Sequence, residues 1–307
     1  MPLHSNVQSF FDLLAEKGPN PNQTQPSLED MRASVALFEE FKGEVPDVPF
    51  TETTAPARDG QAIRLRIYNP QLDASHPALV FYPGCGFILD AFDVNGYAAA
   101  RIASYANAKV ILVDYRVCPE ADFPVPLYDG YDALEYICQH AKDFQIDPEN
   151  ISVLGYSSGG HVAANVASQA RLNDKIHIHH LILHNSLLDL SQTMRAYDDY
   201  EAKDAMLIRK DLFNIMMPQL KIPKNELTRP INSPVHEQDV RGFPKTTFLI
   251  GEYDGLRNDS EHYYQVLSAQ NKEIEKVILT GQTHNQMALL GGHPDIEDPA
   301  KVIADLL

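Results

Sequence analysis

Short apolar runs alternate with helical stretches along most of this chain, and that rhythm limits its fold more than any other property. The runs at 78–81, 110–114, 151–154, 176–183, 246–250 and 277–279 read as buried strands, and the alternation at 63–68 reads as a half-exposed one. Helical composition fills about 97–107, 129–141, a stretch opening at Val162, and 259–269. Such alternation predicts an α/β fold, a mostly parallel central sheet with helices on both faces and a ligand site at the carboxyl ends of the strands. With 307 residues, 44% of them hydrophobic, the chain is long enough for one large core.

One junction in this rhythm carries chemistry. Ile151-Ser152-Val153-Leu154 runs into Gly155-Tyr156-Ser157-Ser158-Gly159-Gly160, and an Ala-rich helical stretch follows from Val162. Glycines two residues before and two after Ser157 make the G-x-S-x-G pattern. Small residues there let the backbone turn tightly and hold a hydroxyl clear of the sheet. Ser157 is therefore the candidate nucleophile. Ser158 fits less well, because Tyr156 and Gly160 stand two residues from it.

A serine hydroxyl attacks only when a base takes its proton, and the base needs an orienting acid. The run at 247–250 leads into Gly251-Glu252-Tyr253-Asp254, and the run ending at Leu279 leads into Thr280-Gly281-Gln282-Thr283-His284. Asp254 is better placed than Glu252, nearer its strand, or Asp259, inside the next helix. His284 is better placed than His262, inside that helix, or His293, near the end of the chain. The order Ser157, Asp254, His284 is the order expected of an α/β-hydrolase. A loop of small residues, Pro83-Gly84-Cys85-Gly86-Phe87, follows the strand at 78–81. Backbone N–H groups in such a loop can hold an oxyanion.

Charge and cysteine usage exclude several function classes. The net charge of −17 argues against nucleic acid or an anionic membrane as partner, since both reward clustered Lys and Arg. Three cysteines, Cys85, Cys118 and Cys138, without C-x-x-C spacing, point to a reducing compartment and no disulfide framework. The first residues carry no basic and apolar leader pattern and no run is long enough to span a bilayer, so a cytoplasmic protein is expected, although export without a cleaved signal would leave the same sequence. His177, His179, His180 and His184 crowd one strand, but no carboxylate or cysteine ligand pattern accompanies them, and no metal is expected.

The first fifty residues alternate helical patches, including 7–14 and one capped by Ser27, with proline breaks. Leu37, Phe38 and Phe41 give them an apolar stripe, read equally as packing on the body or as part of a lid. The stretch 188–234 interrupts the α/β rhythm and reads as an insertion, a second candidate lid piece. The expected organisation is a helical cap segment at 1–50 and an α/β domain at 51–307 containing the insertion.

Several further motifs fall in register. Asp114-Tyr115-Arg116-Val117-Cys118-Pro119-Glu120 with Phe123-Pro124, the elbow Gly155-Tyr156-Ser157-Ser158-Gly159-Gly160, Ser233-Pro234 and Asp254-Gly255-Leu256-Arg257-Asn258-Asp259 span nearly the whole chain. Together they resemble the hormone-sensitive-lipase-like carboxylesterase branch of the α/β-hydrolase fold, whose patterns are D-Y-R-L-A-P-E…F-P, G-D-S-A-G-G and D-P-L-R-D. The resemblance implies that Ser157 attacks an ester carbonyl, His284 shuttles the proton and Asp254 orients the imidazole. It implies backbone oxyanion donors at Cys85, Gly86 and Ser158, a cap built from the N-terminal helices and the insertion, and no cofactor. Homodimers through an edge strand are common in that family; no residue here establishes one.

The departures fall on the oxyanion loop. Where the family has H-G-G-G-F, Pro83 replaces the histidine and Cys85 replaces a glycine, with Gly84 retained between them. Proline cannot donate a backbone hydrogen bond, and cysteine makes a positive φ costly. The expected activity is hydrolysis of short or medium acyl esters. An amide-directed hydrolase of the same fold, such as a deacetylase or formamidase, and a small-molecule-binding protein with a weakened oxyanion loop are the other readings.

Overall fold

The run at 151 is apolar on both faces because it becomes the middle of the sheet. In this computed structural model, which describes residues 27–69, 71–191, 210–285 (of 210–212 the backbone alone) and 298–307 together with Ser9, Asp12, Glu16, Lys17 and Met287, eight strands form one sheet. They are β1 (Phe50–Pro56), β2 (Ala62–Tyr68), β3 (Ala78–Tyr82), β4 (Lys109–Asp114), β5 (Ile151–Tyr156), β6 (His180–His184), β7 (Lys245–Gly251) and β8 (Ile274–Leu279). Their spatial order is β1-β2-β4-β3-β5-β6-β7-β8. β2 pairs antiparallel with β1 and β4, and every other pairing is parallel.

β5 pairs with β3 on one side and β6 on the other, so all six of its residues are buried. Alternate side chains go to opposite faces of a strand. Val153 joins a core shared with α3 (Val125–Gln139), α4 (Ser158–Ala170) and α6 (Arg257–Ser268), while Leu154 joins a core shared with α2 (Phe92–Ala106) and α7 (Pro299–Ala304). Each such side chain contributes about 1.5–3 kcal/mol when fully buried. This two-sided burial is why the strands carry little polar alternation.

Several boundaries differ from the sequence reading. The expected strand at 176–183 begins only at His180, since Ile176 closes a turn onto the Asn173 carbonyl and the first ladder-side bond is from His179 N–H to Ile151 O. The helix expected from about 97 starts at Phe92, the one expected from 129 starts at Val125, and β8 starts at Ile274 rather than Val277. β1 lies outside the runs that the sequence predicts as strands: six of its seven residues, all but Ala55, are exposed, so it shows no apolar alternation. Pairing with β2 holds it, aided by Phe50 against the Arg66 guanidinium at 5.0 Å.

The cap segments meet the body in part. Ser27 caps α1 (Leu28–Ser34) through a reciprocal capping box with Asp30. Arg32 on that helix donates to the Ile88 and Cys118 carbonyls and pairs with Glu120. A 3₁₀ turn, Val35–Glu40, follows. In the insertion, α5 (Lys210–Leu220) buries Phe213, Met216 and Leu220 in the core, and Ser233 Oγ accepts the N–H groups of Leu190 and Ser191, tying the two ends together. The helix expected at 7–14, the middle of the insertion at 192–209 and His293 lie outside the described residues.

Candidate active site

β5 stops at Tyr156 and α4 starts at Ser158, which leaves Ser157 alone at the bend with φ 56° and ψ −120°. A side chain at positive φ is strained and needs surroundings that enforce it. Here the Ser157 N–H donates to His184 O at 3.0 Å, and its carbonyl accepts the Leu187 N–H at 2.9 Å. The flanking glycines follow from close approach: a Cβ at Gly155 would lie 2.5 Å from the Gly159 carbonyl oxygen, and one at Gly159 would lie 2.0 Å from the Tyr82 carbonyl oxygen. The strand, turn and helix can stack this tightly only without those side chains.

The loops after β5, β7 and β8 then bring three side chains together. His284 Nε2 lies 2.9 Å from Ser157 Oγ, and His284 Nδ1 lies 2.9 Å from Asp254 Oδ1. Asp254 is fully buried and also accepts the Leu256 N–H at 2.9 Å, while His284 is 5% exposed. With Nδ1 donating to the carboxylate, Nε2 is left to accept from the serine. The competing residues are occupied elsewhere. Glu252 accepts the Gly281 N–H at 2.8 Å, bracing the loop that carries His284. Asp259 accepts the N–H groups of Leu188 and Asp189, each at 3.0 Å. His262 lies within α6.

The loop after β3 passes beside the serine. Its left-handed positions are Gly86 (φ 56°) and Phe87 (φ 61°), so the backbone cost expected at Cys85 falls on Phe87 instead. The Cys85 N–H donates to Ser158 Oγ at 3.0 Å. Tyr115 Oη donates to the Pro83 carbonyl at 2.6 Å and lies 3.2 Å from Ser158 Oγ and 3.1 Å from Cys85 Sγ. Burial pushes the Cys85 thiol up, which keeps it protonated and unreactive.

In front of Ser157 and His284 lies an apolar pocket. Val35 and Phe38 of the N-terminal segment, Leu89 and Val94, Leu187 and Leu256, and Phe213 and Met216 of α5 line it. Both stretches read as cap pieces thus contribute walls. Among the described residues no group of His, Cys, Asp and Glu side chains gathers as a metal site. The strand histidines are engaged in the fold: His180 Nε2 lies 2.9 Å from Thr247 Oγ1, and His184 Nδ1 lies 3.2 Å from Leu249 O. No helix among the described residues is long and apolar enough to cross a membrane.

A family model of the alpha/beta hydrolase fold matches residues 79–288, a stretch that holds Ser157, Asp254 and His284. The chain belongs to the α/β-hydrolase family. Its relatives include Carboxylesterase NlhH of Mycobacterium tuberculosis, 28% identical over 277 residues that cover 88% of this chain and 85% of that protein. The Arylesterase of Saccharolobus solfataricus is 26% identical over 299 residues, covering 92% of each. Among solved structures, a hyperthermophilic esterase from the archaeon Pyrobaculum calidifontis superposes with a TM-score of 0.86 at 26% identity, over 99% of this chain and 97% of that one.

Within this α/β-hydrolase site, three contributors escape a reading of the sequence. Asn185, at φ 46° directly after β6, donates to the Thr283 and His284 carbonyls and accepts the Gly251 N–H at 2.8 Å, joining the loops that carry Asp254 and His284. An asparagine just past a strand end, a residue type that tolerates left-handed backbone, was the available signal. Arg101, 1% exposed, donates to the carbonyls of Lys42 and Met287 and so links the N-terminal segment to the chain beyond His284. Tyr115 belongs to the motif at 114–120, but its contact with Pro83 joins residues 32 positions apart and has no local signature.

Proposed function

We propose that this α/β-hydrolase is a carboxylic ester hydrolase acting on apolar acyl groups of short to medium length through Ser157, His284 and Asp254. The observation that carries the reading is the pair of 2.9 Å contacts, Ser157 Oγ to His284 Nε2 and His284 Nδ1 to Asp254 Oδ1, at the mouth of an apolar pocket. The esterase names of its relatives support the same reaction class.

In this reading His284 takes the serine proton as Oγ attacks the ester carbonyl, and Asp254 holds the imidazole in the required tautomer and stabilises its charged form. The oxyanion is held by backbone N–H groups of Cys85, Gly86 and Ser158, the last in the first turn of α4, where the helix end favours negative charge. The Cys85 N–H must leave Ser158 Oγ to take part. Collapse of the tetrahedral intermediate expels the alcohol, which receives the proton from His284. Water, activated by the same imidazole, then hydrolyses the acyl-enzyme and returns Ser157. The N-terminal segment at 1–50 and the insertion at 188–234 act as the cap, because Phe38, Phe213 and Met216 stand over the acyl site. An apolar wall of this kind rejects charged acyl groups, whose desolvation it cannot repay.

The test is a panel of p-nitrophenyl acetate, butyrate, octanoate and palmitate, with the matching anilides and a succinate ester. Turnover of the short and medium esters, with little of the anilides or succinate, is expected. Preference for the anilides would move the activity to amides, and preference for palmitate would overturn the assignment of acyl length.

A further inference from the structure

The residue before the candidate nucleophile is a tyrosine where the family's elbow pattern has aspartate, and the structure gives it several contacts with the candidate base. Tyr156 ends β5 and is 3% exposed. Its ring stacks against two imidazoles, His184 with centroids 5.4 Å apart and planes at 23°, and His284 at 5.5 Å and 25°. Its hydroxyl donates to the His284 carbonyl at 2.9 Å and lies 2.8 Å from the Asn285 side-chain amide. The same carbonyl accepts the Asn185 Nδ2 at 3.0 Å, so two donors pin the backbone that carries the base.

We propose that Tyr156 is a positioning residue for His284: its hydroxyl fixes the main chain beneath the imidazole, and its π face stabilises the imidazolium that forms when Ser157 is deprotonated. The proposal rests on the roles assigned above to Ser157 and His284. An aromatic face within about 6 Å of a cation attracts it, and more strongly when both are desolvated. Groups close to His284 among the described residues include Asp254 from the loop after β7, Ser157 at the elbow, and Tyr156, which also stacks on His184. Cys85 approaches from the β3 loop along the same pocket wall. Of these groups Asp254 is the carboxylate paired with the ring. His184 stays neutral, as burial pushes it down to about 4, so it does not oppose a cation on the His284 ring.

Two variants separate the two contributions. Tyr156→Phe keeps the face and loses the hydroxyl, whereas Tyr156→Leu loses both. Folding of each is checked by circular dichroism and thermal melting. The pH profile of kcat/KM is read together with an NMR titration of the His284 ring in resting enzyme, which needs no turnover. For Tyr156→Phe, kcat is expected to fall about tenfold with the acid limb unmoved, a loss comparable to one neutral hydrogen bond. For Tyr156→Leu, kcat is expected to fall further. Because the face favours the charged ring, its removal lowers the His284 pKa, and both the acid limb and the NMR midpoint move to lower pH by roughly half to one unit. An unmoved NMR midpoint in Tyr156→Leu, or a loss confined to KM in both variants, would overturn the proposal. If the wild type showed no turnover that Ser157→Ala abolishes, the assigned function would fail, while the NMR midpoint would still decide whether Tyr156 acts on the His284 ring.

Discussion

Replacing Ser158 by alanine should speed the enzyme and weaken the fold in the same molecule. In the resting site the buried Ser158 Oγ accepts the Cys85 N–H at 3.0 Å, so one of the three backbone donors assigned to the oxyanion is already engaged. The hydroxyl competes with the transition state for that donor. Without it, the Cys85 N–H has no partner until the oxyanion forms, and a charged acceptor then rewards it about twice as strongly as a neutral one. One oxyanion donor is worth about 10² to 10³ in kcat, which sets the ceiling. The loop is still held by Tyr115 Oη on the Pro83 carbonyl at 2.6 Å, so a gain of at least about tenfold is expected with KM little changed. The unpaired N–H should cost about 1–3 kcal/mol of folding stability. Steady-state kinetics on p-nitrophenyl butyrate and urea unfolding of both proteins read the two effects. An unchanged or reduced kcat in a folded variant would refute the reasoning, because the Cys85 N–H would then not be directed at the oxyanion.

Other expectations follow from the same geometry. Asp254→Asn removes the carboxylate that accepts His284 Nδ1–H and should lower kcat by about 10⁴, with KM nearly constant, on the same substrate; a drop below tenfold would assign orientation of the base to another group. Burial pushes His161, His180 and His184 down to about 4, below the ordinary value of 6.5 that the unfolded chain retains. Their depressed values mean that the stability present above about 6.5 is lost as pH falls towards 4, where unfolding takes up as many as one proton per histidine. Urea midpoints measured across that range should fall, and His180→Gln should flatten the dependence by about one proton.

The residues of this candidate site are legible in the sequence because they sit where local patterns end. Ser157, Asp254 and His284 each lie in a loop just past an apolar run, and parallel strands side by side gather such loops at one edge of the sheet. Local pattern failed where exposure or long range took over. β1 carries Thr51-Glu52-Thr53-Thr54 because it is an exposed edge strand, and polar residues cost nothing there. Ile176 and Ile178 are buried with His177 exposed between them, which imitates a strand although the ladder starts later. The stack of Tyr156 on His284 and the Tyr156 hydroxyl contact with the His284 carbonyl join positions 128 apart, and the Cys85 N–H on Ser158 Oγ spans 73, so neither could be foreseen from spacing.

The claim that Ser157 is the nucleophile of an ester hydrolase is tested most directly by covalent capture. Wild type and Ser157→Ala would be incubated with a fluorophosphonate, weighed as intact protein and mapped by peptide mass, with ester turnover followed in the same samples. The account predicts one adduct on Ser157 in the wild type, with turnover lost in proportion to labelling, and neither adduct nor turnover in the folded Ser157→Ala variant. An adduct on another residue, or ester hydrolysis that survives in Ser157→Ala, would contradict it.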